Sequence, residues 1–272
     1  TASKETEMFV SDLIHQESLD VAYMVVSEAG ASVYSASKLA AEEFPDFDVT
    51  LRSAVSIARR LQDPLAELVK IDPKAIGIGQ YQHDMPKKQL DEALGGVVED
   101  CVNTVGVDLN TASPSLLSRV AGIISTVSKN IVTYREENGA FKSRNELKKV
   151  AKLGPKAFLQ CAGFLRVSES KNILDNTAVH PESYDAVKKL LDLCGYTLEN
   201  IKSGEICDIK SKINELGEDI VAEKIGIGVP TLQDIIIELL RPGRDPREEL
   251  VQPMLRKDVL DMKDLKVGME LD

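Results

Sequence analysis

Two short stretches of this chain combine residue types suited to holding an anion. The first runs Gly122-Ile123-Ile124-Ser125-Thr126, with Lys129 one turn further on. The second runs Lys152-Leu153-Gly154-Pro155-Lys156. Each places a glycine-containing turn just before a helix start, where backbone N–H groups have no intrahelical acceptor. Those groups and the helix dipole accept a phosphate oxygen without reading a base. Lys129, Lys152 and Lys156 stand where they add positive charge. The expected contact residues are therefore Gly122, Ile123, Ser125, Thr126, Lys129, Lys152, Gly154 and Lys156. One helix–glycine–helix turn is a weak signal. Two in tandem, joined by the short Tyr134–Phe141 connection, are a stronger one. The competing reading is a helix pair with a purely architectural role.

Charge favours the first reading locally. The chain carries a net charge of −11, which by itself argues against a nucleic-acid partner. Between Leu109 and Arg166, however, ten Lys and Arg (119, 129, 135, 142, 144, 148, 149, 152, 156 and 166) stand against three acids (136, 137 and 146), seven positive in net. A basic island in an acidic chain localises where a phosphate backbone binds. Such contacts are common to DNA and RNA, so both remain candidate partners, bound without sequence specificity.

Other residues invite different chemistry. Glu28 closes a short β-type run and could belong to a carboxylate cluster holding two divalent metals. Gln82-His83-Asp84 suggests an acid–base or metal pair, but adjacent residues do not face one another on a regular element. Gly77-Ile-Gly79 and Gly226-Ile-Gly228 resemble phosphate loops without their strand, third glycine or lysine. The second stands before Pro230-Thr231 and reads either as a third hairpin-like turn or as a helix start. Arg241, Arg244 and Arg247 pair with local acids or with phosphate. The four cysteines (101, 161, 194, 207) form no CxxC pair and the three histidines are scattered, which fits reduced thiols better than a zinc site. No metal or cofactor is expected. No apolar run approaches the ~20 residues that span a bilayer, and no signal peptide is visible. The expected location is cytoplasmic, with no membrane partner.

The positioning elements are mostly helices. Aromatic residues make up 4% of the chain and tryptophan is absent, so the core leans on aliphatic residues. Helical patterns cover about 32–44, 49–71, 87–105, 182–194, 208–224 and 231–240. Within the basic segment, Ser113 is a plausible N-cap with Pro114 at the first helical position, and Leu116, Leu117 and Val120 form an apolar face. The next helix starts near Ser125, buries Val127, Ile131 and Tyr134, and stops at Asn138-Gly139. Ser143 and Glu146 suggest a capping box. Pro155 suits the first turn of a helix running to Phe164. Tyr23–Val26 reads as a strand whose ladder partners lie upstream, and Leu265–Leu271 as an opening strand, so the chain reads as excised from a longer protein.

The hairpin pair resembles the tandem helix-hairpin-helix of ComEA-type DNA receptors and of the bacterial Tex transcription accessory family. It departs from the usual pattern of two glycines around an apolar residue: Ile124 stands at the second glycine position of one hairpin, Lys152 at the first of the other. The resemblance to Tex covers essentially the whole chain. It is carried by Val26–Ser35, Ala54–Leu65, Gly79–Asp84, Val97–Asn103 and Pro242–Arg247. It implies a mainly α fold: the end of an RNase H-like (YqgF-type) α/β domain at 1–72, a linker helix region at 73–108, the tandem hairpins at 109–166, a helical module at 167–260 and the start of an OB-fold domain at 261–272. It implies a transcription-associated, nucleic-acid-binding role without catalysis, with the transcription machinery as a partner. Glu28 would match the middle acid of RNase H-like nucleases, but Arg52-Ser53 stands where a further acid is expected. The alternatives are a resolvase-type nuclease and a helical protein–protein adaptor.

Overall fold

Several helices begin where the sequence places a side-chain acceptor. The computed structural model describes residues 2–77 and 82–243. Its first part holds α1 (Ala2–Gln16), α2 (Ala31–Ser35), α3 (Lys38–Glu43), α4 (Val49–Gln62) and α5 (Pro64–Leu68). Ser37, Asp48 and Asp63 cap α3, α4 and α5, each accepting a first-turn N–H. The expected helices over 32–44 and 49–71 are thus broken up; Pro64, with no N–H to donate, starts α5 rather than continuing α4. Tyr34, Ala40 and Ile71 form a small core. Tyr23–Val26 carries only an isolated bridge, at Tyr23. The single sheet among the described residues lies elsewhere.

The second part begins with α6 (Lys87–Val105) and continues through β1 (Val107–Asp108), α7 (Pro114–Leu117), α8 (Ser125–Asn138), α9 (Pro155–Cys161) and β2 (Leu165–Arg166). The two strands are parallel, Val107 opposite Leu165 and Asp108 opposite Arg166. The Val107 N–H donates to Phe164 O at 2.8 Å and the Leu109 N–H to Arg166 O at 2.9 Å. The ladder therefore joins the beginning of the basic segment to its end. Leu117, Ile131, Leu147 and Leu165 are fully buried in the shared core between them. Burial of each such side chain contributes roughly 1.5–3 kcal/mol.

Ser113 caps α7, accepting the Leu116 N–H at 3.2 Å, with Pro114 at the first position as expected. The capping box at Ser143 does not form. Residues Arg144–Lys149 wind as a 3-10 turn, and the Ser143 side chain caps nothing. Glu146 instead accepts the Lys142 N–H at 2.7 Å, while Arg144 turns inward. A 3-10 turn draws its first donors one residue closer than an α-helix does, which moves Glu146 past the Ser143 amide.

The third part packs α10 (Tyr184–Cys194), α11 (Leu198–Ser203), α12 (Ile209–Leu216), α13 (Glu218–Ile225) and α14 (Val229–Leu240) around Leu190, Ile201, Ile213 and Leu232. α11, with a Thr197/Asn200 capping box, was not anticipated from the apolar pattern. The helix expected over 208–224 is parted at Gly217. The fold is mainly α. No helix among the described residues is long and apolar enough to cross a membrane. The strand expected at Leu265–Leu271 lies outside the described residues.

Candidate nucleic-acid interface

The two hairpins match residue for residue once Val120 is set on Val150. Gly122 then falls on Lys152, Ile123 on Leu153 and Ile124 on Gly154. Gly122 has φ +80° and Lys152 has φ +66°, both left-handed. Ile123 and Leu153 are buried, and their N–H groups donate back to Val120 O (3.0 Å) and Val150 O (3.2 Å). Ile124 (φ −87°, ψ 160°) and Gly154 (φ −76°, ψ 167°) are extended N-cap residues. The chain reverses at the left-handed residue. Glycine adopts that conformation freely, whereas a residue with a Cβ, such as Lys152, costs about 1 kcal/mol or more there.

The second position of the motif has a different requirement. Its backbone is ordinary, so Gly154 is not needed for conformation. What it leaves is room: a Cβ built on Gly154 meets nothing within 4 Å. In the first hairpin that position carries the Ile124 side chain, 65% exposed.

Neither Ile124 nor Gly154 supplies a side-chain acceptor, so α8 and α9 start uncapped, unlike α7 just before them. Ser125 and Thr126, at the start of α8, are exposed. Lys129, Lys152 and Lys156 are exposed as well. Seven of the eight expected contact residues thus sit on the outer surface of the two turns. Ile123 does not: its side chain packs inward and its N–H is already used, so it supports the turn from below.

The basic island is less available than its composition implies. Arg135 donates to Leu109 O at 2.9 Å and Ala112 O at 2.8 Å. Arg144, 1% exposed, donates to the carbonyls of Asp175 (3.1 Å), Val179 (2.7 Å) and Thr177. Arg166 donates to Gly163 O at 2.7 Å. Burial lowers the Arg144 guanidinium and pushes Arg166 down to about 10, the neighbouring Arg144 charge adding to the second. These three arginines hold the chain together rather than facing a ligand. The exposed cations around the second hairpin are Lys148, Lys149, Lys152 and Lys156, with Lys149 at 3.5 Å from Glu146.

A third hairpin stands before α14. Gly226 has φ +80°, the Ile227 N–H donates to Ala222 O at 3.0 Å, and Gly228 is an extended N-cap (φ −77°, ψ 154°) followed by Val229-Pro230. Of the two readings of Gly226-Ile-Gly228, the geometry is that of the hairpin. Its surroundings are acidic: Glu218, Asp219, Glu223, Asp234 and Glu238 against Lys224. The full two-glycine motif here lacks the lysines of the other two.

The remaining candidates do not assemble. Glu28 is exposed, and the carbonyls on either side of it, Ser27 O and Ala29 O, accept from Arg60 at 2.7 and 2.9 Å. The Arg52 Nε donates to Phe44 O at 3.0 Å. Among the described residues no group of three or more His, Cys, Asp or Glu is placed to hold a metal ion. Gln82–Asp84 forms one 3-10 turn with His83 exposed. Cys161 and Cys194 are buried and Cys101 and Cys207 exposed, all four free; burial pushes the Cys161 thiol up to about 12. Gly79, Arg244 and Arg247 lie outside the described residues.

Comparison with known proteins finds matches along most of the chain. A Tex protein YqgF-like domain matches residues 1–62, a helix-hairpin-helix motif 102–166 and an HHH domain 172–247. The last contains the third hairpin. The chain is 55% identical over 271 residues to the uncharacterized protein YdcI of Bacillus subtilis, 55% over 275 residues to protein YhgF of Escherichia coli, and 52% over 274 residues to the transcriptional accessory protein Tex of Neisseria gonorrhoeae. Each match covers 100% of this chain but only 37%, 34% and 35% of the relative, so the chain spans about a third of their length. With a Tex YqgF-like region, two hairpin regions and about half its residues shared from end to end with these relatives, the chain belongs to the Tex family.

Proposed function

We propose that this chain is a nucleic-acid-binding part of a transcription accessory factor, gripping phosphate backbones at residues 109–166 and serving as a scaffold rather than a catalyst. The observation that carries the reading is the repeated turn: two left-handed reversals, each opening an uncapped helix start, with Lys129, Lys152 and Lys156 exposed around them. Uncapped N–H groups and lysines contact phosphates, which carry no base identity, so the grip is sequence-independent and open to RNA and DNA. The working layout keeps 1–72, 73–108 and 109–166 as separate functional stretches, with 167–260 beyond them. The acidic third hairpin suits a protein partner better than phosphate, and the transcription machinery is the partner class we assign to it. The location we assign to this activity is the cytoplasm. A nuclease is the weaker reading: Glu28 shares a cavity with Glu7 but belongs to no group of three or more metal-ligating side chains among the described residues, and Arg52 and Arg60 stand on α4.

The test is a salt titration with two unrelated sequences of equal length. Two hairpins and three lysines neutralise on the order of three to five phosphates, giving a log–log slope of roughly −2 to −5 and affinity in the micromolar range. A flat response, or discrimination above about 100-fold between the sequences, contradicts phosphate contact and points to base readout or a protein-adaptor role.

A further inference from the structure

Beside the second hairpin lies a cavity of about 500 Å³, lined by Pro155, Phe158, Leu159, Pro181 and Tyr184 among others. It is larger than a base needs and its walls are mostly apolar. Its rim is not. Lys148 lines it, with its ammonium 4.7 Å from the centroid of the Phe158 ring. Lys152 and Lys156 flank the lining residues Leu153–Pro155 in sequence, and no acid occurs from Leu147 to Ser168. Glu182 is the one acid in the lining, and its carboxylate lies 3.6 Å from His180 Nδ1.

An apolar slot edged by lysines fits a ligand that is apolar on its faces and anionic beside them. We infer that the cavity takes an unstacked base of a single-stranded nucleic acid, its flanking phosphates lying against Lys148, Lys152 and Lys156. A duplex keeps its bases stacked inside the helix and offers nothing to fill the slot, whereas single strands present base faces to aromatic and apolar side chains. The inference rests on the phosphate-binding reading and adds to it a preference for single strands. A peptide bearing an apolar side chain would also fit the walls, but it does not account for Lys148, Lys152 and Lys156 beside them.

The experiment compares the 272-residue chain on two single strands of about twelve nucleotides, identical in charge, one intact and one abasic throughout. The intact strand should bind about tenfold tighter, in the lower part of the range that base stacking gives. Leu159→Ser removes apolar wall at an exposed position, so it spares the core that Phe158→Ala would breach. It should cut the advantage at least about threefold while leaving the abasic affinity and the salt slope unchanged. Equal binding of the two strands by the native chain overturns the inference, gives the cavity to a protein side chain, and leaves the phosphate reading intact. An advantage that survives Leu159→Ser also overturns it. Binding of neither strand overturns both readings.

Discussion

The turn before α8 and the turn before α14 share a left-handed glycine and an extended N-cap, although the first closes from Ile123 N–H to Val120 O and the second from Ile227 N–H to Ala222 O. Gly122 and Gly226 both have φ +80°, and the N-cap residues after them, Ile124 and Gly228, are both extended. Neither helix has a side-chain cap. Yet the first turn belongs to a segment with seven positive charges in net, and the second sits among Glu218, Asp219, Glu223 and Asp234. The hairpin is thus first a packing solution: one left-handed residue reverses the chain, and the apolar residue after it seats the turn on the core. Whether the helix start then meets phosphate depends on the charges around it, which the turn does not dictate.

The sharpest way to break this contrast is to reverse the charges. Lys129, Lys152 and Lys156 changed together to Glu should lower affinity for nucleic acid at least about 100-fold, because three cations are lost and three negative charges take their place. All three are exposed, so the circular-dichroism spectrum should be unchanged. Lys224→Glu, beside the third hairpin, should leave affinity as it is. Equal losses from the two variants would show that the two regions do not differ.

A subtler variant fills the open helix start instead. Ile124→Asp would place a capping carboxylate on the first-turn N–H groups of α8. Melting should show a gain of about 0.5–1 kcal/mol. Affinity should fall about tenfold, because the donors offered to phosphate are taken and a negative charge is added. Gain and loss together are the signature; a loss of both would indicate simple misfolding.

Lys152→Gly separates strain from charge. Relief of the left-handed lysine should stabilise the second hairpin by about 1 kcal/mol, while affinity falls only a few-fold with one cation gone. Denaturant midpoints and anisotropy titrations report the two effects independently. The smallest expected effect lies at Glu146, whose carboxyl is held below its ordinary value chiefly by the Lys142 backbone N–H. A carboxyl whose folded value is depressed stabilises the fold above its unfolded value of 4.5 and loses that contribution as pH falls through the folded one. Glu146→Gln should therefore cost a few tenths of a kcal/mol at pH 7 and nothing at acid pH. A constant difference across pH would refute the assignment.

Much of this was legible in the residues. Ser113-Pro114 announces α7, Asn138-Gly139 ends α8, and Gly154-Pro155 opens α9. The register of the two hairpins was legible too, because Val120-Ala-Gly-Ile and Val150-Ala-Lys-Leu align, but a lysine in a glycine's place hides the left-handed residue. What could not be counted was availability. Arg135, Arg144 and Arg166 add charge in the sequence, yet their guanidinium groups are spent on backbone carbonyls brought together only by the fold. The third hairpin has the full glycine pattern, and its acidic neighbours disguised it. Ser143 and Glu146 have the spacing of a capping box, which presumes an α-helix where the chain winds a 3-10 turn.

The short parallel ladder has a mechanical consequence. Val107 enters the hairpin unit and Arg166 leaves it on strands running the same way. Tension along the chain pulls those strands in opposite directions along their length. The Val107–Phe164 and Leu109–Arg166 hydrogen bonds are then loaded together in shear, rather than peeled one at a time. Tension applied through the two flanking connections would therefore meet a clamp at the base of the unit.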